Sequence, residues 1–264
     1  MDLQKLIYEV KDGVATITMN YPKNLNAVDE SMADELIWAF DVANEDPAVK
    51  VIVLKGGEKA FSAGGDVGYF YKLATSGESV NMDSLIEKVG IIAQKIKTLD
   101  KIVISSVSGA AAGAGVSLAL SADFVIAAEN TKIIMAFVKL GLVPDTGSTY
   151  LLVKQLGEKR AFEYCATGTP IGAEDAKNWG LITRVVPMEE LESETNKLAG
   201  KIAAGPLVAY KNIKKQIYGA SFEQYSAFLR EVEATTQREC AATEDFIEGV
   251  KAFVEKRKAE FQGK

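Results

Sequence analysis

Residues 102–128 form the most apolar stretch of the chain and set the strongest limit on how it can fold. The stretch is long enough to suggest a membrane span, which needs about 20 predominantly apolar residues in a row. However, Gly109, Gly113, Gly115, five serines and Asp123 interrupt it. Strands buried on both faces, separated by a tight turn, explain that mixture better. Ile102 to Val107 reads as one strand and Phe124-Val125-Ile126-Ala127 as the next. Between them, Ser108-Gly109-Ala110-Ala111-Ala112-Gly113-Ala114-Gly115 reads as a turn that leads into a helix at Val116-Ser117-Leu118.

The same order of strand, small-residue turn and helix occurs earlier. Val51-Ile52-Val53-Leu54 is a buried-strand run, followed by Ala60-Phe61-Ser62-Ala63-Gly64-Gly65-Asp66. Near the N-terminus, Leu6-Ile7-Tyr8-Glu9-Val10 and Val14-Ala15-Thr16-Ile17-Thr18-Met19 flank Lys11-Asp12-Gly13, which predicts a hairpin. Apolar residues at helical spacing predict helices over residues 32–43, capped by Asp29 or Ser31, and over residues 85–96. Residues 132–135 continue the strand signal. Strands separated by helices require crossovers, hence helices packed on a sheet. After Ser148 the pattern is almost wholly helical, and residues 207–261 read as amphipathic helices with Lys/Glu faces. The expected layout is therefore an α/β core over residues 1–190 and a helical region over residues 191–264 that packs on a neighbouring subunit.

Composition narrows the chemistry. The chain has 264 residues and no histidine, so Ser-His-Asp and Cys-His catalysis and His-ligated zinc are excluded. Catalysis must then rest on carboxylates, Tyr, Lys, Ser or the backbone. A net charge of −6 argues against a broad nucleic-acid footprint. No secretory signal is visible at the N-terminus, and two well-separated cysteines, Cys165 and Cys240, fit a reducing cytoplasm. Neither a metal site nor a prosthetic group is expected.

Small residues let a ligand approach the backbone, and free N–H groups at a helix start attract negative charge. Each turn alone reads equally well as close strand-to-helix packing. Neither is a phosphate loop, since no Lys-Ser/Thr follows the glycines. Two N–H groups converging on one oxygen would form an oxyanion hole, each donor being worth about 3 kcal/mol in a transition state.

The order Asn24-Leu25-Asn26-Ala27, Phe61-Ser62-Ala63-Gly64-Gly65-Asp66, Ser108-Gly109 through Gly115, and Leu142-Val143-Pro144-Asp145-Thr146-Gly147 resembles the crotonase (enoyl-CoA hydratase/isomerase) superfamily. Gly172-Ala173-Glu174-Asp175-Ala176 and Phe253-Val254-Glu255-Lys256-Arg257-Lys258 extend the resemblance over essentially the whole chain. Within that family, residues 136–145 look most like the epoxyphenylacetyl-CoA isomerases. The resemblance implies an α/β fold of stacked ββα turns (a ClpP/crotonase superhelix) with a C-terminal helical trimerisation region, assembled as a trimer or a dimer of trimers. It implies an acyl-CoA thioester substrate, with coenzyme A present only as part of that substrate. The thioester oxygen would lie between the N–H groups of Gly65 and Ala114. Backbone around Lys23, Asn24, Leu25, Ala27, Ala63 and Asp66 would hold the CoA moiety.

Hydratases of the family use two glutamates to position and activate water. The matching positions here are Ser117 and Phe137, neither of them a carboxylate. Asp145 is the only acid between Glu129 and Glu158. It reads either as the cap of a helix starting near Thr146-Gly147-Ser148 or, by the resemblance, as the acid that isomerases of the family carry at this place. Burial beside Phe137, Leu142 and Val143 would raise its pKa. Asp66 reads as a cap, Asp123 as a structural hydrogen-bonding residue, and Lys256-Arg257-Lys258 as a solvated face or a CoA-phosphate contact. Tyr69 and Tyr71 read as packing or as acyl-pocket walls, and Ser117 as a residue facing substrate. Helix 67–76 and the loop to Met82 would shape the pocket. Three readings stay open: an isomerase with one acid, a hydratase with Asp145 alone activating water, and a non-catalytic CoA-binding or RNA-associated homologue.

Overall fold

The computed structural model describes residues 1–76 and 80–264. Part of the loop expected to shape the pocket, residues 77–79, lies outside the described residues. The chain opens with a hairpin of β1 (Leu6–Lys11) and β2 (Val14–Met19), with Lys11 paired to Val14. Asp12 and Gly13 both have positive φ, the conformation that lets a two-residue turn follow the twist of its strands. Helix α1 (Glu30–Glu45) starts at Asp29, whose side chain accepts from the Met32 N–H at 3.0 Å.

The chain then winds between two sheets. Strands β3 (Val51–Lys55), β5 (Ile102–Val107) and β7 (Phe124–Ala128) join β1 and β2 in a six-stranded sheet, closed at its edge by β10 (Arg184–Val186). After each of β3, β5 and β7, the chain crosses to a smaller sheet: β4 (Ala60–Ser62), β6 (Ala110–Ala112) and β8 (Lys132–Ile134), with β9 (Ile171–Gly172) antiparallel to β8. Return paths are helical: α2 (Val67–Thr75) and α3 (Asp83–Thr98), then α4 (Ala114–Leu120), then α5 (Ser148–Leu156), α6 (Glu158–Thr167) and α7 (Ala173–Asn178).

The large sheet is covered on both faces, which is why β5 is buried at every residue despite Ser105 and Ser106. On one side, Ile52, Leu54, Val103 and Val107 pack with α1 and α3 in the main core. On the other, Val51, Val53, Ile102, Ile104 and Ile126 meet Leu191, Leu198, Ala199 and Ile202 of α8 (Leu191–Ala203). Asp123 locks this region: its carboxylate accepts from the Val103 N–H and from Lys214 Nζ, both at 2.8 Å. Lys214 lies on α9 (Leu207–Ser221). A bent segment follows, α10 (Tyr225–Phe228), a π-helical turn (Leu229–Glu233) and α11 (Ala234–Ala241), before α12 (Glu244–Glu255). No helix among the described residues is long and apolar enough to cross a membrane.

Candidate active site

The two small-residue turns meet because both leave neighbouring strands, β4 and β6, at the same end of the small sheet. Their approach is close enough to demand glycine. A Cβ on Gly64, which has φ +91°, would lie 2.6 Å from the Ala112 carbonyl oxygen, and one on Gly115 would lie 2.7 Å from that of Ser62. Gly65 follows Gly64 directly, and Ala114 is the first residue of α4. Among the described residues, neither the Gly65 N–H nor the Ala114 N–H has a protein acceptor. The first N–H groups of a helix have no partner within it, so the Ala114 donor is left free by geometry alone.

A strap over residues 20–28 holds the first turn. Buried Asn26 accepts from the Tyr21 N–H and donates to the carbonyls of Ala60 and Phe61. The Val28 N–H donates to Gly64, and the Asp66 N–H donates back to Val28. Leu25 and Asn26 take positive φ, a costly conformation held by these bonds. Asp66 caps α2 through the Tyr69 N–H and accepts from Asn24 Nδ2 at 2.7 Å, so both of its oxygens are engaged.

A cavity of about 390 Å³ opens between the turns and the helices, within the range of small-ligand sites. Its lining includes Lys23, Asn24, Leu25, Ala27, Ala63, Gly65, Asp66, Ala114, Phe137 and Asp145. Two other residues expected at the site lie outside that lining. Tyr69 turns away and donates to Glu30 at 2.8 Å; burial, then this bond, pushes its phenol up to about 12. Ser117 is fully buried beneath the acid loop, donating to the Asp145 carbonyl and accepting from the Thr146 hydroxyl. Lys256-Arg257-Lys258 is exposed, with Arg257 paired to Glu248 and Glu255.

The capping reading of Asp145 does not hold. Helix α5 begins at Ser148, and its N-cap, Gly147, has no side chain to contribute. Ser148 N–H and Oγ bond the Asp145 carbonyl rather than its carboxyl. The helix start is instead met by Glu233, which accepts from the N–H groups of Gly147 at 2.5 Å, Thr149 at 3.0 Å and Tyr150 at 3.4 Å. The Asp145 carboxyl is thus free to face the cavity. Burial pushes its pKa up to about 7, with the neighbouring polar groups of Thr146 and Gln237 acting the other way. Burial likewise raises Glu233, to about 8, with Asp145 adding repulsion.

Sequence reasoning missed Glu233 and Gln237. A signal was present: Tyr225, Leu229, Glu233, Gln237 and Ala241 recur every fourth residue, so two polar side chains stand in a buried row.

The family model for enoyl-CoA hydratase/isomerase matches residues 9–264. A trans-2-decenoyl-[acyl-carrier-protein] isomerase of Streptococcus mutans is 35% identical over all of both chains. A 1,2-epoxyphenylacetyl-CoA isomerase of Escherichia coli is 34% identical, covering 99% of this chain and 100% of its own. The crystal structure of an enoyl-CoA hydratase from Mycobacterium avium subsp. paratuberculosis superimposes with a TM-score of 0.89 at 32% identity, covering 98% of this chain and 99% of that one. With its crotonase fold and a family match spanning nearly its whole length, the chain belongs to the enoyl-CoA hydratase/isomerase family.

Proposed function

We propose that the protein is an isomerase of unsaturated acyl thioesters, moving a double bond (or rearranging an epoxide) rather than adding water. The observation that carries this reading is the state of the carboxylates in the cavity. Of the two that line it among the described residues, Asp66 is spent on its cap and on Asn24, which leaves Asp145 as the acid able to exchange protons. The positions of the two hydratase glutamates hold Ser117, sealed under the loop, and Phe137, an apolar wall.

One acid is enough for an allylic shift. Asp145 as carboxylate takes a proton from C2 of a 3-enoyl thioester, and the electron pair moves onto the thioester oxygen. The Gly65 and Ala114 N–H groups donate to that oxygen as its charge develops, a term typically worth about 3 kcal/mol per donor. The protonated Asp145 then returns the proton at C4 as the enolate collapses to the 2-enoyl thioester. Apolar Phe137, Leu142, Leu85 and Ile86 keep the acid dry and its proton affinity high.

The carrier we favour is coenzyme A, seated on the strap over residues 23–27. Unpaired thiols at Cys165 and Cys240 suit a reducing cytoplasm. Exposed Val208, Ile213 and Ile217 on α9 suit a trimer or hexamer. The test is to assay the purified protein with 3-enoyl-CoA and 2-enoyl-CoA in parallel, and with a 3-enoyl carrier-protein thioester. Isomerase activity gives 2-enoyl product without hydroxyacyl thioester. Hydroxyacyl thioester as the main product from either substrate overturns the reading.

A further inference from the structure

The acid of the site sits on a loop whose own bonds, from Ser148 and Ser117, hold the Asp145 carbonyl and not its carboxyl. Thr146 and Gly147 both have positive φ, and Gly147 leaves the start of α5 without a cap of its own. A second set of bonds to the loop comes from far along the chain, on one face of the bent helix that runs from α10 into α11. Every fourth residue of that face is buried: Tyr225 (0% exposed), Leu229 (6%), Glu233 (2%), Gln237 (2%) and Ala241 (3%). Glu233 closes a π-helical turn, an irregularity that often marks a functional site.

Glu233 and Gln237 on this face each bond the backbone on either side of Asp145. Glu233 accepts the three N–H groups at the start of α5, a task Asp145 would otherwise be placed to perform. Among the described residues no Lys or Arg is paired with Glu233; its carboxyl oxygens are met by these N–H groups at the positive end of α5. Gln237 lines the cavity, and its Oε1 accepts from the Val143 N–H at 3.1 Å. That bond fixes which way the amide points and leaves its Nε2 donors on the side of the Asp145 carboxyl, whose proton affinity Gln237 lowers.

We propose that Gln237 and Glu233 are the positioning residues of the reaction, a clamp from the C-terminal helices that frees the Asp145 carboxyl from capping and holds it in one orientation toward the substrate. This rests on the reading of Asp145 as the proton carrier. It gives the C-terminal region a part in the chemistry of its own chain, apart from any role in assembly.

The clamp has a pH signature with a definite sign. A donor to a carboxylate favours its ionised form, so losing the Gln237 donor raises the proton affinity of Asp145. The ionisable and polar groups near Asp145 are Glu233, the Thr146 hydroxyl and the Gln237 amide, with Lys23, Lys139 and Asp66 lining the same cavity. Glu233 in turn faces Tyr225 and Cys165, both neutral near pH 7 with their pKa values raised by burial.

The experiment measures kcat and KM against pH, with a 3-enoyl-CoA substrate, for the wild type, Gln237→Met, Gln237→Asn, Glu233→Gln and Asp145→Asn. Methionine fills the glutamine's space without a donor. It is expected to move the midpoint of the kcat limb about one unit toward alkaline pH and to lower kcat about 10-fold at pH 7, with KM within about threefold. Gln237→Asn, whose amide stops one methylene short, shifts the same way by less, and it carries the test should the Met variant not fold. Glu233→Gln lowers kcat about 10-fold or more at unchanged KM. Wild-type kcat and midpoint in the folded Gln237 variants, with Asp145→Asn inactive, overturn the clamp alone. Turnover by Asp145→Asn overturns the reading beneath it.

Discussion

The two sides of the site are built in different ways. The donor side, residues 60–66 and 109–115, comes from adjacent strands of one small sheet, and short-range packing of small residues shapes it. The acid side, residues 142–148, is an irregular loop held in part by side chains more than 80 positions away, through the bonds of Glu233 and Gln237. The first is fixed where Gly64 and Gly115 leave no room for a Cβ. The second depends on partners brought in from elsewhere in the chain.

The comparison can be broken most sharply at the donor side. Ala114→Pro removes one N–H at a helix position that tolerates proline, and is expected to lower kcat about 100- to 1000-fold while circular dichroism stays native. Near wild-type turnover would mean the Ala114 N–H is not used. Gly64→Ala should harm the fold itself, by about 2–3 kcal/mol in denaturant unfolding, because its Cβ meets a backbone carbonyl at positive φ. A stable Gly64→Ala protein would show that the two turns are loosely packed.

The acid side should show itself through pH. A base with its pKa raised to about 7 is ionised only above that value, so kcat is expected to fall about 10-fold per unit as pH drops below 7. A flat profile down to pH 5 would place the base elsewhere. The smallest effect is on stability. With the folded-state pKa above the unfolded one, the folded protein keeps a proton that the unfolded chain has released, so Asp145 costs stability as pH rises from about 4 to 7. Asp145→Asn should therefore raise Tm by a few degrees at pH 8 and by almost nothing at pH 4. An equal gain at both pH values would assign the effect to packing instead.

What the sequence discloses follows the same division. Asp12-Gly13, the Asp29 cap and the glycines of the two turns act within a few residues of themselves, and each is readable from local chemistry. The helical tail is readable from its spacing, but not the fact that α8 seals one face of the large sheet, since nothing near Leu191 or Leu198 names its partner. Asp145 shows the limit most clearly. Local rules offered it as a cap for α5, and the chain supplies that cap from Glu233 instead, 86 positions beyond Gly147. Tyr69 follows its packing reading for a like reason: its hydroxyl is drawn to Glu30, on a helix that no spacing rule connects to it.

The most direct test of a backbone oxyanion hole served by a single acid is the fate of a 3-enoyl-CoA on the wild type and on Asp145→Asn. The wild type should convert it to 2-enoyl-CoA with no hydroxyacyl-CoA. The variant should bind it with comparable affinity and turn it over about 1000-fold more slowly or less. Hydroxyacyl-CoA as the wild-type product, or an Asp145→Asn enzyme that isomerises at close to the wild-type rate, would contradict it.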